Sequence, residues 1–166
     1  MSIADFNQFL PEKASTVLAQ CCTSERWIKQ LVSARPFPNQ EALLQKADDI
    51  WWKLEEEDYL EAFRGHPKIG DMQSLKEKYS STKALAADEQ SSLAAASESV
   101  LIDLMQKNEE YEKKFGFIFI VCATGKSAEE MLSILLSRLS NNREEELTNA
   151  SEEQRKIYQL RLEKLL

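Results

Sequence analysis

Glycine and proline are scarce in this chain, four of each in 166 residues. That leaves few obligatory turns and excludes collagen-like and Gly/Pro-rich low-complexity architectures. Histidine occurs once, so a zinc site would need carboxylates to complete its ligands. The cysteines, Cys21, Cys22 and Cys122, are odd in number, two are adjacent, and none has metal-ligand spacing. No metal site is therefore expected. The thiols are expected to be reduced and mostly buried, which fits a cytoplasmic protein. No apolar run approaches the ~20 residues that span a bilayer. A basic region followed by an apolar stretch, the mark of a secretory signal, is also lacking at the start. The final Glu163-Lys164-Leu165-Leu166 is not a Ser-Lys-Leu peroxisomal address. No basic block appears and the formal net charge is −7, which disfavours nucleic-acid binding. An anionic small molecule remains admissible, because one arginine or a few backbone amides can hold it against the global field.

What is present is ordinary for a globular protein: 43% hydrophobic and 30% charged residues. The length suits one domain spanning residues 1–166, burying roughly 70% of its unfolded surface without staples. Helical spacing recurs nearly throughout. Ile3, Phe6 and Leu10 begin a short amphipathic helix that Pro11 interrupts. Pro11 then suits the first turn of a helix carrying Ala14, Val17, Leu18 and Cys21. Ser24 is placed to cap a helix with Trp27, Ile28, Leu31 and Val32 on one face. Arg35-Pro36-Phe37-Pro38 breaks it, and Asn39 is placed to cap the next, with Leu43, Leu44, Ala47, Ile50, Trp51 and Leu54. Trp27, Trp51 and Trp52 read as core or half-core aromatics. Tyr59, Leu60 and Phe63 mark another short helix, and residues 71–83 a polar helix or loop. An alanine-rich helix is expected from about residue 86 to about 108, then helices over Ser127–Leu139 and from about Asn142 to Leu165. The acidic run Glu144-Glu145-Glu146 reads as a solvated first-turn face. The expected fold is all-α: a single-domain bundle of about eight to nine helices.

Two segments depart from this pattern. Arg64-Gly65-His66-Pro67-Lys68-Ile69-Gly70 holds the lone histidine, the side chain whose unperturbed pKa lies nearest neutrality. Pro67 pushes His66 toward extended backbone, and the flanking glycines permit a sharp turn or a close approach. The segment either presents an imidazole for proton transfer or is a plain helix connection. The second is Gly116-Phe117-Ile118-Phe119-Ile120-Val121-Cys122-Ala123-Thr124-Gly125, a β-branched and aromatic run between glycines. Propensity makes it a strand, yet it has no partner strand. It is expected to be a helix overridden by context or one buried extended connection. In the latter case its backbone N–H groups need partners, which a ligand could supply.

Phe63 to Gly70, the later Glu89-Gln90, the stretch Tyr111 to Val121 with Lys114-Phe115-Gly116-Phe117, Arg138-Leu139 and Leu160-Arg161-Leu162 together resemble the OHCU decarboxylases. Cys22, Trp27 and Arg35-Pro36-Phe37 fit as well, so the resemblance runs through nearly the whole chain. It implies an all-α, cofactor-free homodimer. It also implies an activity, the decarboxylation of 2-oxo-4-hydroxy-4-carboxy-5-ureidoimidazoline to (S)-allantoin, the third step of urate degradation. By the same resemblance His66 and Glu89 are catalytic. Pro67, Ala86, Gln90, the backbone of Phe119, Ile120, Val121, Cys122 and Ala123, and Arg161 bind substrate. Ala86 stands where the family often has Ser, so its side chain can neither cap nor hydrogen-bond. Two other classes remain open: a non-catalytic helical module binding a purine-derived ligand, and a helical adaptor, which would need a sizeable exposed apolar patch.

Overall fold

The computed structural model describes residues 1–67 and 98–166. It is all-α. The described helices are α1 (Ile3–Gln8), α2 (Pro11–Ala19), α3 (Glu25–Ser33), α4 (Gln40–Trp51), α5 (Glu56–Arg64), α6 (Glu98–Phe115), α7 (Ala128–Arg138) and α8 (Arg143–Leu165). No strand occurs among the described residues. Two compact units are present, Met1–Gly65 with Gln154–Leu166, and His66–Glu153. Among the described residues no helix is long and apolar enough to cross a membrane.

The first unit is built as its punctuation dictates. Ser2 and Asp5 form a capping box on α1, with Ser2 Oγ accepting from Asp5 N at 3.1 Å and Ser2 N donating to the Asp5 carboxylate at 2.9 Å. Pro11 opens α2. Asn39 caps α4, its Oδ1 accepting from Ala42 N at 2.8 Å. Ser24 does occupy the N-cap of α3, but its hydroxyl makes no capping bond; it is buried and lacks a partner among the described residues. The breaker loop is tied down by side chains: Arg35 NH1 donates to the Phe6 and Phe9 carbonyls at 2.8 and 2.7 Å, and Asn7 exchanges two bonds with the Phe37 backbone.

Its core is an aromatic cluster. Trp27 and Trp51 flank Tyr158 with ring centroids 4.9 and 5.6 Å away, and Tyr59 meets Trp51 at 4.7 Å. Leu18, Leu31, Leu43, Ala47 and Leu162 fill the space around them, all fully buried. Burying each large apolar side chain contributes roughly 1.5–3 kcal/mol. The polar tips are satisfied: Trp27 Nε1 donates to the Ala47 carbonyl at 3.1 Å, and Tyr158 donates to Asp48 at 2.6 Å. Two expectations fail here. Trp52 is 47% exposed, because one residue beyond buried Trp51 it has turned about 100° around the helix axis. Leu10 is 74% exposed, since it sits in extended backbone as the N-cap of α2 rather than on the face of α1.

The second unit contains α6, the irregular connection 116–127, α7 and the first part of α8. Helix α6 continues to Phe115, well past the expected end near 108, because Tyr111 and Phe115 extend its apolar face into a second aromatic cluster. Tyr111 lies 4.5 Å from Phe115, 6.0 Å from Phe117 and 5.4 Å from Phe119, ring to ring. Gly116 ends the helix at φ +82°, a left-handed conformation that glycine adopts without strain. Ser127 caps α7 through its hydroxyl, which accepts from Glu130 N at 3.1 Å. Asn142 accepts from Glu145 N at 2.8 Å at the start of α8.

Candidate functional site

The lone histidine follows a helix end fixed by a neighbouring loop. Thr23 Oγ1 lies 3.2 and 3.4 Å from the Glu61 and Ala62 carbonyls in the last turn of α5. Gly65 closes the turn at φ −72°, ψ −10°, a conformation open to any residue. Its need for glycine is spatial: a Cβ there would stand 2.1 Å from Thr23 Oγ1. His66 comes next, half-buried, and Pro67 is buried.

Of the alternatives its composition allows, the run between Gly116 and Gly125 is not the helix: it is irregular, neither helix nor strand, and buried over 119–123. Phe119, Ile120, Val121, Cys122 and Ala123 are each at most 7% exposed. Three side chains grip its backbone. Arg138 NH1 donates to the Ile120 carbonyl at 2.6 Å, Cys122 N donates to Glu153 Oε1 at 3.1 Å, and Lys126 Nζ donates to the Cys122 carbonyl at 2.8 Å. A trans peptide unit is planar, with its C=O and N–H pointing opposite ways, and the peptides here are trans. Each grip therefore aims one group away from it: Val121 N–H, Val121 C=O and Ala123 N–H respectively. None of these three groups is hydrogen-bonded among the described residues. Along the chain they read donor, acceptor, donor. A ring N–H flanked by two oxygen acceptors would complement them. Both backbone polar groups of Cys122, by contrast, are engaged within the protein.

Behind the run lies a buried charged network. Arg138 is 8% exposed and Glu146 fully buried, paired at 2.7 Å. Tyr111 donates to the same carboxylate oxygen at 2.5 Å, while Asn141 and Asn149 donate to the other at 2.8 and 2.7 Å. The Arg138 guanidinium also lies 4.7 Å from the Phe119 ring centroid. Burial alone would raise the Glu146 pKa, but the Asn141, Tyr111 and Asn149 hydrogen bonds and the Arg138 charge outweigh it and hold the carboxyl below its usual range. Burial pushes the Tyr111 hydroxyl up, so it stays a neutral donor. Glu146 is thus not the solvated residue its acidic run suggests; Glu144 and Glu145 alone keep that role. Helical rotation turns the third carboxylate inward, where Arg138 awaits it.

Arg161 is 8% exposed in the first unit, its NH1 3.5 Å from the Cys21 carbonyl. All three cysteines are free and buried. Burial pushes the Cys22 thiol up to about 12, which makes it unreactive. His66, Pro67 and the 119–123 run belong to one unit and Arg161 to the other. Ala86, Glu89 and Gln90 lie outside the described residues, as do the polar stretch 71–83 and the start of the alanine-rich helix. Among the described residues no cluster of three His, Cys, Asp or Glu could hold a metal ion. An open cleft of about 430 Å³ between α3 and α4, with Lys29, Lys46, Asp49 and Lys53 on its walls, shares none of the expected site residues. Glu153, Lys126 and Glu146 carry no sequence signal that marks them as functional. Arg138 and Tyr111 stood among the residues carrying the resemblance, but no local pattern ties Arg138 to a carbonyl 18 residues away.

A family model described as OHCU decarboxylase matches residues 7–163. The chain belongs to the OHCU decarboxylase family. The uric acid degradation bifunctional protein TTL of Arabidopsis thaliana is 40% identical over 146 residues, 87% of this chain and 45% of that protein. The 2-oxo-4-hydroxy-4-carboxy-5-ureidoimidazoline decarboxylase of Amia calva is 29% identical over 134 residues, 81% of this chain and 76% of that one. A crystal structure of OHCU decarboxylase in the presence of (S)-allantoin superposes with a TM-score of 0.76 at 37% identity, over 89% of this family member and 94% of that chain. The chain spans less than half the length of the bifunctional relatives it matches.

Proposed function

We propose that this chain is a cofactor-independent carboxy-lyase that converts 2-oxo-4-hydroxy-4-carboxy-5-ureidoimidazoline to (S)-allantoin, acting as a cytoplasmic homodimer of one catalytic domain per chain. The observation that carries this reading is the donor, acceptor, donor series that Val121 and Ala123 leave unbonded among the described residues. It complements the 2-oxo group, the ring N–H beside it and an oxygen on C4 of that substrate, in a family with a member crystallised in the presence of (S)-allantoin.

Decarboxylation needs a place for the electron pair of the breaking C–C bond. The substrate brings its own, a conjugated imine-type ring beside the carboxylated carbon, so pyridoxal or thiamine chemistry is not required. The protein's tasks are to hold the carboxylate out of the ring plane, stabilise the developing enolate-like charge and deliver a proton to one face. His66 exchanges that proton with the substrate hydroxyl or ring. The Val121 and Ala123 backbone orients the ring and ureido amides, with Pro67 lining the pocket. By the family resemblance Glu89 disfavours the ground state of the reacting carboxylate, Gln90 hydrogen-bonds the ureido amides and Ala86 contacts substrate. Arg161 anchors a carbonyl or carboxylate oxygen.

The test generates the unstable substrate in place from urate with urate oxidase and hydroxyisourate hydrolase, adds the protein, and follows circular dichroism. Rapid appearance of an (S)-allantoin signal is expected, and His66→Asn, which keeps size but loses titration near neutrality, abolishes it. Racemic allantoin at the spontaneous rate would mean a module that binds without turnover. Near-normal turnover by His66→Asn would remove the proton-transfer role.

A further inference from the structure

We infer that Arg138, Glu153 and Lys126 are positioning residues, which set the three peptide planes of 120–123 and so fix the geometry with which Val121 and Ala123 meet the substrate. The inference rests on the function proposed above. A buried irregular segment has no ladder to hold its amide planes, and each plane can pivot about its flanking φ and ψ. Here each of three successive planes is held at one end by a side chain from outside the segment: Ile120–Val121 by Arg138, Val121–Cys122 by Glu153, Cys122–Ala123 by Lys126. Arg138 cannot itself swing, because Glu146 and the Tyr111 hydroxyl occupy its other nitrogens at 2.7 and 3.3 Å. Two of the three grips come from cations on carbonyls. A cation there withdraws charge along the peptide unit and strengthens the opposite N–H as a donor, so Val121 N–H and Ala123 N–H are both sharpened. Glu153 does the converse, enriching the Val121 carbonyl as an acceptor. Each grip thus matches in sign the group it aims.

Contacts to the 2-oxo group and the ring N–H beside it, away from the reacting carbon, bind ground and transition states about equally, so their loss raises KM and leaves kcat nearly untouched. The half-exposed pair Glu153 and Lys126 can be altered with little risk to the fold. Glu153→Ala and Lys126→Met are each expected to raise KM, and the Kd for (S)-allantoin measured by calorimetry, roughly tenfold, while kcat stays within about twofold. Glu153→Gln, whose amide oxygen accepts the same Cys122 N–H, restores binding. Arg138→Lys keeps the charge but loses the fork that reaches both Ile120 and Glu146, and is expected to show the same KM rise with an added loss of thermal stability. Backbone NMR reads the geometry apart from activity: the Val121 and Ala123 amide resonances shift in Glu153→Ala and Lys126→Met and return in Glu153→Gln. Wild-type KM and unmoved amide resonances in both variants would overturn the inference. Should the wild-type protein neither turn over substrate nor bind (S)-allantoin, the proposed function fails, and the amide resonances alone decide whether the three side chains hold the segment.

Discussion

The two aromatic clusters are built on opposite principles. Around Trp27, Trp51 and Tyr158 in the first unit, helices meet through regularly spaced apolar faces, and the polar atoms are satisfied at the margin by Asp48 and a backbone carbonyl. Around Tyr111, Phe115, Phe117 and Phe119 in the second, an irregular segment replaces a helix, and an ion pair with three further donors sits among the rings. The first arrangement needs only shape and burial. The second has backbone groups that no helix satisfies, and it meets them with charged side chains of fixed geometry. The difference teaches where a helical protein keeps backbone groups available: at the segment whose backbone is not used up by its own secondary structure.

The largest effects should come from breaking each cluster by its own logic. Trp51→Ala leaves a cavity in the first and is expected to lower stability by about 3–5 kcal/mol. Glu146→Ala leaves the Arg138 charge buried and unpaired in the second, at a similar cost of about 3–5 kcal/mol. Urea unfolding of both variants measures them. The contrast sharpens in the double variant Arg138→Met/Glu146→Leu, expected to be more stable than Glu146→Ala yet impaired in (S)-allantoin binding. A double variant no more stable than the single would show that packing, not the stranded charge, dominates that region.

Acid should act next, and more on the second cluster. The folded-state pKa of Glu146 lies below its unfolded value of about 4.5. Its contribution is therefore fully present above that unfolded value and is lost as pH falls through the lower folded one. Urea midpoints between pH 6 and pH 3 should fall, and Glu146→Gln should flatten that dependence by removing the titrating group. Gly65→Ala should cost about 1–3 kcal/mol by overpacking against Thr23, and it should depress turnover further because His66 follows directly. The smallest effect is Asn39→Ala at about 1 kcal/mol, the loss of one cap in the apolar unit. It should leave (S)-allantoin affinity unchanged, as calorimetry can show.

The first unit was largely legible because its signals are local. Pro11, Asn39 and the spacing of Leu43, Ala47, Ile50 and Trp51 follow from backbone geometry and a 3.6-residue period. The misreadings there, Leu10, Trp52 and the silent hydroxyl of Ser24, concern side chains at the margin of a periodic face, where one residue of phase decides exposure. In the second unit composition alone marked 116–125 as the exception and raised its unpaired amides. Lys126 stands beside the run, but the other side chains that hold its backbone could not be read, because Arg138 and Glu153 lie far from it in sequence and look like ordinary surface charges on helices.

By itself, then, the sequence determined the helical class, the punctuation of the helices, the anomalous run and the lone histidine, since each depends on residue type and near neighbours. Only the tertiary structure decided which carboxylate of an acidic run turns inward, which side chains hold each peptide plane, and which backbone groups those side chains leave unbonded. Those are pairings between distant residues. The chain's local chemistry permits many such pairings, and the packing of one particular core selects among them.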